Sequence, residues 1–193
     1  MNLTKDYYKN NAEQFAKETV DADIGDVRER FLKHIPEGGT ILDFGCGSGR
    51  DTKAFKDAGY DVHAIDGSEE LCRMASEYSG VEVKCMDFFS FDEVDKYNGI
   101  FACASLLHIP PERLPELITK MLKSLKKGGV IYMSFKYGDF SGERDGRHFT
   151  DLDEERFRKI LSLVKGARIL EEWHSEDVRR GKTASWLNEI IVV

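Results

Sequence analysis

Apolar and polar positions change period repeatedly along this chain. Residues 40–44, Thr-Ile-Leu-Asp-Phe, form a short apolar run that reads as a buried strand, and residues 50–57 switch at once to a helical pattern. The alternation then recurs as a strand over 61–65 ending in Asp66, a helix over 69–78, a strand-like run over 81–85, a strand over 99–104, a helix over 111–126 and a strand over 129–135. In the longest helix, Leu114, Leu117, Ile118, Met121, Leu122 and Leu125 recur at helical spacing and make a core-facing stripe. Two helices over 7–19 and 26–34 precede the first strand, followed by the loop Pro36-Glu37-Gly38-Gly39. Residues 137–150 are rich in Gly and charge with little periodicity, and read as a long loop. A helix over 153–164 and two strands over 167–174 and 185–193 close the chain. Strand–helix alternation of this kind predicts an α/β domain with a parallel sheet covered by helices on both faces. No repeat, low-complexity tract or linker interrupts it, and 193 residues suffice for one domain with a full core.

The junction after the first strand carries the candidate chemistry. Gly45, Gly47 and Gly49 alternate between strand and helix, an arrangement that lets backbone N–H groups and a helix N-terminus approach a bulky ligand. Asp66 ends the second strand, and an acid about 20 residues beyond such a loop is placed to accept hydrogen bonds from ribose hydroxyls. Asp43, Asp66 and Asp87 all fall at carboxyl ends of predicted strands, where open α/β sheets bind ligands. The pattern specifies a nucleoside cofactor. The spacing is Gly-x-Gly-x-Gly, without the third glycine that dinucleotide enzymes place for close helix packing, which opposes a nicotinamide-dependent oxidoreductase.

These segments resemble the class I S-adenosylmethionine-dependent methyltransferases. Residues 41–49, Ile-Leu-Asp-Phe-Gly-Cys-Gly-Ser-Gly, resemble the family's first motif, and 62–68, Val-His-Ala-Ile-Asp-Gly-Ser, its second. Residues 84–88, Lys-Cys-Met-Asp-Phe, resemble the third, 100–108, Ile-Phe-Ala-Cys-Ala-Ser-Leu-Leu-His, the fourth, and Lys127-Gly128-Gly129-Val130-Ile131 fits the turn before the fifth strand. The resemblance runs from about Tyr7 to the C-terminus, and is nearest to small bacterial enzymes of the tellurite and thiopurine group. It implies a Rossmann-like, doubly wound, mostly parallel seven-stranded sheet with an antiparallel last strand. It also implies residues 1–36 as a helical cap or lid, 37–135 as the cofactor-binding core, and 136–193 as loop, helix and closing strands.

The same resemblance assigns roles. Gly45, Cys46, Gly47, Ser48 and Gly49 would cradle the methionine part of S-adenosylmethionine and its ribose, with Asp43 beneath them. Asp66 would bind both ribose hydroxyls, since a carboxylate offers two oxygens to a vicinal diol. Gly67 and Ser68 follow it, and Ser68 also suits a helix N-cap. Met86, Asp87 and Phe88 would meet adenine, Asp87 accepting from its exocyclic amine. Ala104, Leu107 and His108 would face the sulfonium end; His108 is a candidate general base, with His148 a second, and equally reads as a cofactor or loop contact or as a helix-start or core histidine. A soft nucleophile needs no strong base, and no compelling acid–base pair is visible. Tyr7 and Tyr8 with Phe15 read as core packing or as a lid that excludes water. Lys136, Tyr137, Arg147, His148 and Phe149, with Arg144, make a mix able to hold an anionic or aromatic acceptor. Arg179, Arg180 and Lys182 form a second basic group.

Composition narrows the partners. A net charge of −7 opposes a general nucleic-acid binder. After the fourth strand, Ile109-Pro110-Pro111-Glu112 lacks both the polar lead and the aromatic typical of enzymes that methylate exocyclic base amines. The 41% hydrophobic content fits a globular chain, and no apolar run approaches the ~20 residues that span a bilayer. Cysteines at 46, 72, 85 and 103 show no Cys-x-x-Cys spacing, so no metal site is expected, and Cys103 reads as packing. With no apolar leader at the N-terminus, a cytoplasmic enzyme, monomer or homodimer, acting on a small molecule is expected. A tRNA or rRNA methyltransferase, a nicotinamide enzyme and a non-catalytic cofactor-binding module are the competing readings.

Overall fold

The computed structural model describes residues 3–179 and 181–193, so Arg180 of the second basic group, and Met1 and Asn2 of the N-terminal reading, lie outside the described residues. Two helices, α1 (Leu3–Thr19) and α2 (Gly25–Leu32), lead into β1 (Thr40–Phe44), α3 (Arg50–Asp57), β2 (Asp61–Asp66), α4 (Glu69–Ser79), β3 (Val83–Cys85) and β4 (Tyr97–Ala102). Then come α5 (Leu114–Lys123), β5 (Leu125–Lys136), β6 (Ser141–Arg144), β7 (Arg147–Thr150), α6 (Glu154–Leu161), β8 (Arg168–Glu176) and β9 (Ser185–Val192). Seven strands form one sheet in the order β3-β2-β1-β4-β5-β9-β8. The pairs among β1 to β5 are parallel, and β9 runs antiparallel to both β5 and β8. The winding order of the sheet reverses between β1 and β4, which run parallel, and this leaves a crevice at their carboxyl ends.

Strand alternation sorts the apolar residues onto two faces. Leu42, Ile100, Ile131 and Met133 pack under α5 and α6 with Leu117, Ile118, Met121, Phe157 and Leu161. Their neighbours Ile41, Phe101, Val130 and Tyr132 point the other way and pack with Phe31 and Ile35, from α2 and the residues after it, and Phe55 from α3. Successive side chains in a strand face opposite sides, so a fully buried strand must be apolar on both. The doubly wound sheet expected from the sequence is therefore what forms. Among the described residues no helix is long and apolar enough to cross a membrane.

Two segments differ from expectation. The stretch read as a long loop contains an antiparallel hairpin, β6–β7, paired from Ser141↔Thr150 to Arg144↔Arg147. Its turn is Asp145-Gly146, both at positive φ (51° and 71°), the two-residue geometry that matches strand twist. The helix read as 111–126 begins instead with a 3-10 turn, Pro111–Arg113, and its α-helical part covers Leu114–Lys123. Pro110 and Pro111 cannot donate backbone hydrogen bonds, and Lys123 gives way at once to β5.

One buried group is poorly matched to its surroundings. Glu189 on β9 is fully buried, neither carboxylate oxygen has a hydrogen-bond partner, and Glu172 lies opposite it on β8. Burial, and then the adjacent Glu172, push its pKa up to about 9 from 4.5. In the unfolded chain this carboxyl ionises above about 4.5, whereas the folded chain keeps its proton until about 9. Stability is therefore lost as pH rises through that window. Glu189→Gln is expected to raise stability at pH 8 by on the order of 1–3 kcal/mol and to change it little at pH 4. Urea titrations of both proteins at the two pH values check this; an equal effect at both would contradict it.

Candidate active site

At the carboxyl edge of the sheet a cavity of about 1620 Å³ opens between the glycine loop, α1, the β6–β7 hairpin and the β8–β9 connection. Pockets for one small ligand measure ~300–1,000 Å³, so this volume accommodates two molecules side by side.

The glycine-loop end is built by backbone laid against β2. Gly45 and Cys46 donate to the Ile65 carbonyl at 2.9 and 3.0 Å. Asp66 accepts from Gly47 N at 2.9 Å through one oxygen and from Ser68 N at 3.0 Å through the other. The carboxylate is thereby fixed facing the cavity, and each oxygen keeps a lone pair for a further donor. Burial raises the pKa of Asp66, and the backbone donors oppose the rise. Ser68 is the N-cap of α4, accepting from Leu71 N at 3.4 Å. A Cβ on Gly45, whose φ is +82°, would lie 2.4 Å from Ser105 Cβ, so only glycine leaves this wall open.

Asp43 lies buried under the loop and accepts from Thr52 Oγ1 at 2.6 Å. Burial, then the neighbouring Asp51 carboxylate, push it up to about 7. Asp51 itself is held by Arg28 at 2.8 Å and Arg50 at 2.6 Å. Of the predicted cofactor residues, Asp43, Gly45, Cys46, Gly47, Ser48, Asp66, Gly67, Ser68, Asp87, Phe88, Ala104 and Leu107 all line the cavity.

Gly49 and Met86 are not among the lining residues. A Cβ on Gly49 would sit 3.0 Å from the backbone of Ala75, so this glycine lets α4 approach the loop closely. It fills the helix-packing role for which the Gly-x-Gly-x-Gly spacing shows no third glycine at the usual position. Met86 contributes a backbone bond, its N–H donating to the Asp66 carbonyl at 2.9 Å. Asp87 caps a 3-10 turn through Phe89 N and is paired at 2.9 Å with Lys5 from α1. Phe88 packs on Phe44 with ring centroids 4.6 Å apart and the planes tilted by 48°.

The opposite end of the cavity is roofed by α1 and the hairpin. His108 lies in a 3-10 turn after β4, with Nδ1 at 2.7 Å from the His148 carbonyl and Nε2 at 2.9 Å from the Tyr8 hydroxyl. A carbonyl only accepts, so Nδ1 carries the proton, and burial lowers the His108 pKa to about 4. The ring is neutral near pH 7, and its Nε2 lone pair accepts a hydrogen bond from the Tyr8 hydroxyl. Both ring nitrogens of His108 are thus engaged, as the core or loop-contact reading of this residue expects. Tyr8 in turn accepts from Arg147 at 3.4 Å, while His148 N donates to Thr4 Oγ1 at 3.1 Å. His148 Nε2 lies 3.1 Å from Thr150 Oγ1.

Tyr7, Tyr8, Lys136 and Arg147 line the cavity as expected. Tyr137 does not: it is exposed, with its hydroxyl 3.3 Å from Glu154 and its ring packed on His174. It follows Lys136 at the end of β5, so its side chain points to the other face. Unforeseen lining residues include Ser105, whose hydroxyl donates to the Phe44 carbonyl at 2.6 Å, and Ser134, which accepts from Ala104 N at 2.9 Å. That bond helps hold Ala104 at φ +50°, a conformation strained for a side chain bearing Cβ.

A family model described as a methyltransferase domain matches residues 16–179. An uncharacterized methyltransferase of Staphylococcus carnosus (strain TM300) is 31% identical over 137 residues, covering 67% of this chain and 66% of that relative's own length. Among solved structures, the 1,6-didemethyltoxoflavin-N1-methyltransferase of Burkholderia thailandensis, with bound 1,6-didemethyltoxoflavin and S-adenosylhomocysteine, superimposes with a TM-score of 0.75 at 18% identity, covering 96% of this chain and 83% of its own. A TehB-like methyltransferase of Corynebacterium glutamicum gives 0.73 at 19%, covering 97% and 98%. A structure from Rhodobacter sphaeroides, titled as zinc-dependent alcohol dehydrogenases, gives 0.79 at 13%, covering 100% and 99%. At these identities the structural likenesses show the fold, and the family match carries the class. The chain belongs to the methyltransferase-domain family, as a class I S-adenosylmethionine-dependent methyltransferase. The nicotinamide reading is set aside with it.

The position of Asp43 gives a pH dependence. The carboxyl is neutral below about 7 and ionised above it, and only the ionised form attracts a cationic ligand. S-adenosylmethionine affinity is therefore expected to fall about tenfold from pH 8 to pH 6 in the wild type, and to stay flat in Asp43→Asn. Calorimetry across that range checks it; a flat wild-type profile would contradict it.

Proposed function

We propose that this enzyme transfers a methyl group to a small-molecule acceptor bound beside the cofactor, under a roof made by α1 and the β6–β7 hairpin. The observation that carries this reading is the single roofed cavity, about 1620 Å³, with the glycine loop at one end and Tyr7, Tyr8, Lys136 and Arg147 at the other. S-adenosylmethionine, when bound, supplies a methyl group made electrophilic by the sulfonium. The chain's own residues then have three tasks. Asp66, already oriented by Gly47 and Ser68, accepts from the ribose hydroxyls, and Asp43 and the loop N–H groups hold the methionine end. Asp87 and Phe88 flank the adenine position, with Lys5 closing α1 onto that end. The aromatic rings of α1 exclude water and hold the acceptor in line.

Within the N-terminal segment α1 accordingly acts as the lid, whereas α2 packs on the sheet through Phe31; residues 37–135 serve as the cofactor core and 136–193 complete the acceptor end. His108 positions Tyr8 and the hairpin rather than removing a proton, because its lone pair is already engaged. This favours an acceptor atom that attacks without a general base, such as a neutral amine or a thiolate, over an unactivated hydroxyl. A net charge of −7 also disfavours a polyanionic nucleic-acid acceptor.

Asp66→Ala is expected to weaken binding of S-adenosylmethionine or its demethylated product, otherwise micromolar, by about 1.5–3 kcal/mol. Calorimetry decides, and NADH binding more tightly than either ligand would reverse the assignment. Methyl transfer to the acceptor, followed by radiolabel, is expected to change little between about 50 and 200 mM salt, whereas a nucleic-acid acceptor held at several phosphates would lose about 10³-fold in affinity. Arg147→Ala is expected to raise the acceptor KM while leaving cofactor affinity within about 0.5 kcal/mol. Unchanged acceptor kinetics would move the acceptor site elsewhere.

A further inference from the structure

The acceptor end concentrates positive charge in a chain that is negative overall. Three cations surround the buried ring of Phe149: Arg144 at 4.4 Å, Lys136 at 4.7 Å and Arg147 at 5.0 Å from its centroid. Arg144 is neutralised by Asp151, with both contacts at 2.9 Å. Arg179, facing the same cavity, is neutralised by Asp177. Lys136 and Arg147 are different. Both are half-buried and line the cavity, and among the described residues neither has a carboxylate within ion-pair distance. Arg147 is held by aromatic faces, 4.1 Å from the Tyr7 ring, and its buried Nε has no hydrogen-bond partner. The acids nearest in sequence, Glu143 and Asp145, are exposed at the hairpin rim.

Half-burying two cations without a counter-charge is costly, and aromatic faces offset only part of that cost. An anion arriving from solvent would supply the missing counter-charge. The ammonium of Lys136 shows the same imbalance: burial, then Arg144, hold its pKa below the usual lysine value, with Arg179 and Arg147 adding to the effect and Asp151 opposing it.

We propose that the methyl acceptor carries a carboxylate or phosphate group bound jointly by Lys136 and Arg147 at the hairpin end of the cavity. This rests on the reading of the cavity as a shared cofactor and acceptor site. Guanidinium supplies paired donors for a planar or tetrahedral oxyanion, and ammonium supplies a point charge beside it. Phe149 and Tyr7 fix both cations in place before the ligand enters.

The test is binding to the full chain, followed by the fluorescence of Trp186, which lines the cavity, and by calorimetry. The probes are benzoate, phenyl phosphate and neutral benzamide, each titrated with and without S-adenosylhomocysteine. One or both anions should bind at least about tenfold more tightly than benzamide, and the tighter one separates carboxylate from phosphate. Lys136→Met and Arg147→Gln should each abolish that preference, while Lys136→Arg and Arg147→Lys retain most of it. Affinity for S-adenosylhomocysteine should stay within about twofold in all four variants, and an unchanged thermal midpoint in Lys136→Met shows that folding is intact. Equal binding of anions and benzamide, absence of anion binding at millimolar concentration, or a preference that survives in both Lys136→Met and Arg147→Gln would overturn the proposal. Failure of S-adenosylhomocysteine to bind the wild type would instead overturn the reading of the glycine-loop end, because the anion titrations without it stand on their own.

Discussion

The crossing of the β1 loop over the end of β2 sets the geometry of everything around the cavity. Three consecutive backbone N–H groups, those of Gly45, Cys46 and Gly47, are spent on two acceptors at the end of β2, the Ile65 carbonyl and the Asp66 carboxylate. That pins the loop, starts α3 at Gly49, and aims α4 through the Ser68 cap. The Met86 N–H on the Asp66 carbonyl extends the same tie to the segment carrying Asp87. One strand end thus orients four elements, and the carboxylate at its centre is both a fastener and a ligand-facing group. A buried carboxylate that satisfies backbone donors in this way is hard to replace, since its removal strands N–H groups as well as deleting charge.

Much of this was legible before the structure. Apolar runs of strand length separated by helical stripes identify a parallel sheet because each strand is buried on both faces, and that is a period-level signal. The glycine loop and the acids at strand ends were equally readable, as local chemistry at known positions in such a sheet. What escaped was long-range or conformational. Asp145-Gly146 is a strong hairpin turn, yet the flanking strands alternate charged and small residues and lack an apolar stripe, so no strand period frames the turn. Gly49 faces Ala75, and nothing in the local spacing says which glycine of a loop will touch the next helix. Lys5 meets Asp87 across 82 positions of chain, and His108 meets Tyr8 across 100. Such pairings are set by tertiary docking of α1, which no periodicity reports.

The pairing of His108 also shows how one side chain's role is decided by its surroundings. In isolation a histidine after the fourth strand suits proton transfer. Buried between a backbone carbonyl and a phenol, it becomes a neutral connector whose two nitrogens have opposite duties.

The way α1 is attached has a kinetic consequence. Only Ala12 and Ala16 among its described side chains are fully buried, and it holds the cavity through polar tips: Thr4 on the hairpin, Lys5 on Asp87, Tyr8 on His108. Small apolar contacts with a few polar latches make a segment that opens at far lower free energy than the sheet unfolds. Two of those latches run to the turn after β4 and to the hairpin, segments separated from α1 by about a hundred residues or more. Detaching the helix would therefore loosen both walls at once.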